Sequence, residues 1–87
     1  MGPYNVELKP GIERYIRAIP DAVTAYEVLR AIQELQTNPY DPPAQAIEDL
    51  DNTRILDVRW HRLFYRIDEG QKLVVVYDLS RVPVPGA

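Results

Sequence analysis

The sequence predicts an α+β domain in which two N-terminal helices pack on one face of a four-stranded, mainly antiparallel sheet, in the order β-α-α-β-β-β. Two patterns predict it. Residues 12–35 repeat apolar side chains at helical spacing, whereas residues 54–79 fall into short alternating or apolar runs broken by turn residues. The 87 residues make one domain, 1–87, with 83–87 as an irregular tail because Pro83 and Pro85 cannot extend a strand ladder.

Each element has its own reason. Tyr4, Val6 and Leu8 alternate with Asn5 and Glu7, the period of a short half-buried strand that Pro10-Gly11 ends. Ile12, Tyr15, Ile16 and Ile19 recur on one stripe of a helix and leave Arg14 and Arg17 toward water. Pro20 suits the first position of a second helix, where its missing N–H would be unpaired, and Asp21 suits the positive end of the dipole. Ala22, Ala25, Tyr26, Leu29, Ile32 and Leu35 form the apolar face of that helix, and Asn38-Pro39 stops it. The short link at Ile19–Pro20 predicts a helical hairpin.

Residues 40–52 form a long acidic, Pro-rich connection that Ala46, Ile47 and Leu50 pin to the core as one helical turn. Strands then cover Arg54–Arg59, His61–Ile67 and Lys72–Leu79. Asp68-Glu69-Gly70-Gln71 reads as a hairpin turn with Gly70 at positive φ. Leu73–Tyr77 is apolar on both faces, the mark of a central strand.

Composition narrows the function classes. Apolar residues make up 46% and charged residues 26%, which is globular rather than disordered. The absence of cysteine excludes a disulfide framework and a thiolate metal site. The longest apolar run, Leu73–Tyr77, is too short to cross a bilayer, and no basic segment followed by an apolar one opens the chain. The expectation is a cytoplasmic protein with no membrane partner. A net charge of −3 argues against a stand-alone nucleic-acid binder. The charge is polarised, however: residues 1–52 carry four Lys/Arg against nine Asp/Glu, and residues 53–87 carry six against four.

The chemistry concentrates in the basic half. Along His61–Ile67, Leu63, Tyr65 and Ile67 point toward the helices, and Arg62, Phe64 and Arg66 toward the open face. Arg81 ends the neighbouring strand and Arg59 precedes the turn, so guanidinium groups would converge beside aromatics, an arrangement suited to phosphate and base contacts. The structural alternative pairs these arginines with Asp57, Asp68 and Asp78, where they only guard an exposed sheet.

His61 is the single histidine, so a His-based metal triad is excluded. It is either a proton-transfer group or, more commonly at a strand start, a surface residue. Trp60 either covers the core edge, the commoner use, or stacks on a ligand. Tyr15 and Tyr26 fit core positions. Glu48, Asp49 and Asp51 form an acidic loop of the kind that is usually solvated, and no phosphate loop, serine-nucleophile motif or zinc spacing is present. No metal or cofactor is expected.

A helical hairpin ending in Leu35-Gln36-Thr37-Asn38-Pro39, a loop anchored by Leu50, then residues 61–68 (HRLFYRID) and 74–81 (VVVYDLSR), resemble the RelE/ParE toxin superfamily from about Tyr4 to Val82. The most specific element is Arg-x-x-Tyr-Arg-Ile-Asp followed by an apolar strand ending in Arg. The resemblance implies the β-α-α-β-β-β fold and an antitoxin partner, with a homodimer or a hetero-oligomer with the antitoxin as the assembly. RelE-like members enter the ribosome and cut mRNA by attack of a 2′-hydroxyl on the adjacent phosphate, whereas ParE-like members poison DNA gyrase.

Carried over by position, Arg62 and Arg81 are the expected catalytic arginines. His61, where the family commonly has Tyr, is the expected proton-transfer residue. Arg54, Arg66 and Arg59, the last where the family often has Gly, are the expected RNA and phosphate contacts. The chain departs from the RelE-like pattern in two places. Only Arg54 is basic in residues 51–55, and no Tyr or His follows Arg81. The leading expectation is a ribosome-dependent mRNA endoribonuclease needing no metal. The alternative is a non-catalytic gyrase-binding toxin, or a degenerate member that only binds an antitoxin.

Overall fold

The computed structural model describes residues 3–40, 45–46 and 52–82. Within them the chain forms β1 (Asn5–Leu8), α1 (Ile12–Arg17), α2 (Ala22–Glu34), β2 (Gln45–Ala46), β3 (Thr53–Val58), β4 (His61–Asp68) and β5 (Leu73–Arg81). The sheet order is β1-β5-β4-β3-β2. β1 runs parallel to β5 and every other pair is antiparallel. The four expected strands are therefore present, and the two-residue β2 extends the sheet beside β3. A helical turn at 46–50 was expected there; Ala46 lies in β2 instead, while Ile47 and Leu50 lie outside the described residues, as do Glu48, Asp49, Asp51 and the tail 83–87.

The core lies between the helices and one face of the sheet. Ile12 and Ile16 of α1, Val28 and Ile32 of α2, and Leu35 meet Leu56, Leu63, Tyr65, Ile67, Val74, Val76 and Leu79. Burying each such side chain stabilises the fold by about 1.5–3 kcal/mol. β5 sits between β1 and β4, as its two-sided apolar character requires. Gly11 stands at the N-cap of α1 with φ +93°, a left-handed conformation that glycine adopts without a Cβ clash and that lets the chain leave β1 sharply.

Three local expectations are corrected. Asp21, not Pro20, begins α2: it is the N-cap, and its carboxylate accepts from Val23 N–H (3.2 Å) and Thr24 Oγ1–H (2.6 Å). The buried face of α2 is Thr24, Val28 and Ile32, which leaves Tyr26 63% exposed together with Val23 and Leu29. The polar Thr24, satisfied by Asp21, begins that face and hides its phase in an apolar pattern. In the β4–β5 turn, Lys72 rather than Gly70 has positive φ (+50°), because Asp68 Oδ1 accepts from Gln71 N–H (3.1 Å) and moves the left-handed residue to the end of the loop.

That turn carries a closed polar cluster. Glu69 accepts from Tyr4 (2.8 Å), from Lys72 Nζ (2.7 Å) and from the Tyr40 hydroxyl. These three donors, Lys72 first, lower the Glu69 pKa to about 2. The bond to Glu69 chiefly raises that of Tyr40 to about 12. Arg54 lies over the Tyr40 ring (5.1 Å), and the buried Tyr65 hydroxyl donates to the Pro39 carbonyl (2.6 Å). The cluster thereby ties β1, the segment after α2 and the β4–β5 hairpin together.

Candidate functional site

Strand parity decides which face each candidate residue occupies. Leu63, Tyr65 and Ile67 are buried on the helix side of β4, as expected, and His61 joins them there; Arg62, Phe64 and Arg66 lie on the open side. β5 does not keep the same parity throughout. Phe64 pairs with Asp78 but Tyr65 pairs with Val76, so Tyr77 is an inserted bulge residue. Beyond it the faces exchange: Leu79 pairs with Leu63 in the core, and Arg81 pairs with His61.

Arg62 and Arg81 therefore stand at the same end of the sheet on opposite faces, and the predicted convergence of arginines does not occur. Arg62 is held across the strands by Asp57, Nε to Oδ1 at 2.9 Å and Nη2 to Oδ2 at 3.2 Å. This bond chiefly lowers the Asp57 pKa and raises that of Arg62. Neither Asp68 nor Asp78 pairs with an arginine; each accepts from a backbone N–H of its own turn or strand. Arg66 makes no ion pair with a described residue and shares the open face with Phe64 and Tyr77, whose rings are 6.2 Å apart. Arg54 is on the other face over Tyr40. Arg59, at φ +53° in the β3–β4 turn, pairs with Glu27 of α2 at 3.3 Å.

The structure brings together His61 and Arg81. They line a hollow of about 200 Å³ with Pro20, Asp21, Thr24 and Trp60, beneath the link between the helices. His61 is 8% exposed rather than a surface residue. Burial, and secondarily the positive charge of Arg81, hold its pKa below the ordinary value, so the imidazole is neutral at pH 7. The Tyr15 hydroxyl lies 3.0 Å from His61 Nδ1, with the rings edge to face at 5.7 Å. If Nδ1–H donates to Tyr15, Nε2 is left as an acceptor; if Tyr15 donates, Nε2 carries the proton. The Arg81 side chain has no hydrogen-bond or ion-pair partner among the described residues.

Sequence reasoning missed Tyr15, Pro20, Asp21 and Thr24 as lining residues, because they come from the helical hairpin some 40–60 positions away. Trp60 is 40% exposed and lines the hollow. Its place beside His61 in the chain was the one available signal. Among the described residues no cluster of His, Asp or Glu fits a metal ion, and no helix is long and apolar enough to cross a membrane.

This mixed-sheet α+β architecture is shared with solved toxin structures. The chain is 26% identical to a chain of the toxin–antitoxin complex RelBE2 from Mycobacterium tuberculosis, covering 93% of each chain with a TM-score of 0.70. It superposes on the archaeal RelE–RelB complex from Pyrococcus horikoshii OT3 (13% identity, 91% and 94% covered, TM-score 0.76). It does so equally on isolated RelE toxin from E. coli (10% identity, 95% and 88% covered, TM-score 0.78). At those two identities the likeness is one of fold. No curated protein sequence matches the chain. Residues 6–81 match the family described as ParE toxin of type II toxin–antitoxin system, parDE. The chain belongs to that family of toxins, within the RelE/ParE superfamily.

Proposed function

We propose that this toxin inhibits translation by cleaving mRNA at the ribosome, without a metal, and that an antitoxin holds it inactive in the cytoplasm. The observation that carries the reading is the pairing of a neutral imidazole, His61, with the Arg81 guanidinium, which has no partner among the described residues, in one hollow. With Nδ1–H donated to Tyr15, His61 Nε2 takes the proton of an RNA 2′-hydroxyl. The oxygen then attacks the adjacent phosphorus and the P–O5′ bond breaks. The leaving 5′ oxygen takes a proton from water. Arg81 stabilises the charge that builds on the phosphorane oxygens. Arg62 and Arg66 extend the cationic surface over the open face for flanking phosphates, Arg62 after release from Asp57. Arg54 and Arg59 contribute only positive field, since Tyr40 and Glu27 hold them. The antitoxin partner is supported by the neighbours that are toxin–antitoxin complexes.

Purified toxin added to ribosomes programmed with mRNA tests this reading. Wild type should cut within the A-site codon, and His61→Gln should lower the rate at least tenfold. Absence of any cut by wild type overturns it. A second reading, a ParE-like gyrase poison with no nuclease site, draws on the family match and on the sequestration of Arg62 by Asp57. Inhibition of supercoiling with intact mRNA would select it.

A further inference from the structure

The His61–Arg81 pair does not sit at the bottom of one hollow; it divides two. The hollow described above reaches Asp21, Thr24 and Trp60, and a second, of about 210 Å³, reaches Tyr15 and Ala18. Ile19, Pro20, His61 and Arg81 line both. On the first side the wall is an indole held 40% exposed. Its turn is fixed from two directions: Val82 N–H donates to the Trp60 carbonyl at 2.8 Å, and Arg59 pairs with Glu27. Arg59 is held in a left-handed conformation that a non-glycine residue rarely adopts. A half-exposed tryptophan on a pinned, strained turn, beside a guanidinium with no side-chain partner among the described residues, fits a flat aromatic ligand that carries an anion. Among the described residues the one carboxylate lining the hollow, Asp21, is turned to its own helix, capping Val23 N–H and Thr24.

We propose that the double hollow is a seat for one dinucleotide step of single-stranded RNA. The phosphate rests on Arg81, one flanking base stacks on Trp60, and the neighbouring nucleoside occupies the hollow beside Tyr15. This rests on the RNA-cleaving reading above and adds how the substrate is gripped. Stacking on an indole is tolerant of base identity, so the seat selects unpaired bases rather than a sequence. An acidic peptide would satisfy Arg81 but has no use for the indole wall.

The sequence has one tryptophan and one histidine, so fluorescence and imidazole NMR each report a single residue of the seat. The probe is a 2′-O-methylated dinucleoside monophosphate, which cannot react. It should quench Trp60 emission and shift the His61 resonances with one common midpoint. Inorganic phosphate should shift His61 alone. Trp60→Ala should weaken binding, read on His61, about tenfold or more, while Trp60→Phe stays within about threefold. Four results overturn the seat: no perturbation of either residue at millimolar dinucleotide, a His61 shift without quenching, undiminished binding by Trp60→Ala, or equal quenching by an acidic peptide. None of these needs the ribosome. Dinucleotide seating without mRNA cleavage removes only the nuclease reading, and full cleavage by a Trp60→Ala toxin that still folds removes only the seat.

Discussion

The two ends of β4 are built from similar residues and differ in one respect, whether their polar groups are already used. At the Asp68 end, Glu69 accepts three hydrogen bonds, Arg54 is stacked on Tyr40, and Tyr65 is bonded to Pro39. At the His61 end, the Arg81 guanidinium has no partner among the described residues and two hollows open around it. A closed network stabilises what it joins and has little left to offer a ligand. An open one leaves charge and hydrogen-bonding capacity available, at some loss of stability.

The sharpest way to break this comparison is to exchange activity and stability between the ends. Arg81→Gln should lower ribosome-dependent cleavage about 100-fold or more, as loss of a transition-state charge partner does, with an unchanged melting temperature. Tyr65→Phe should do the reverse. It leaves the Pro39 carbonyl without its donor, costing about 1–3 kcal/mol in denaturant unfolding, and should spare cleavage by the protein that remains folded.

Two pH experiments sharpen the contrast. The Glu69 pKa is lowered to about 2 in the folded chain from an ordinary 4.5. Its contribution is therefore full above pH 4.5 and lost as pH falls toward 2. The melting-temperature difference between wild type and Glu69→Gln should be greatest near neutrality, shrink below pH 4.5 and vanish only below pH 2. His61 is a base whose folded pKa is depressed, so the unfolded chain binds the extra proton and stability falls as pH drops below about 6.5. Its NMR titration midpoint should lie below that value, and Arg81→Gln should raise it by removing a positive neighbour. The smallest effect is expected at the exposed Arg62–Asp57 pair. Asp57→Asn should leave the melting temperature unchanged while raising cleavage modestly by freeing Arg62.

Much of the architecture was legible in the chain. Period-two alternation assigned the two faces of β4, the apolar run marked β5 as central, and the hairpin of helices followed from residues 12–35. The phase of α2 was not legible, because a buried threonine paired with its own N-cap reads as a surface residue.

The site was legible in its residues and not in its assembly. His61 and Arg81 were both singled out from the sequence, yet simple alternation along β5 would have put Arg81 on the face of Arg62. The bulge at Tyr77 reverses that parity. Side-chain direction along a regular strand is local and written in the sequence, whereas a bulge is fixed by the register between two strands. Only the folded sheet, with Leu79 drawn into the core opposite Leu63, decided that Arg81 would face His61 beneath the helical link.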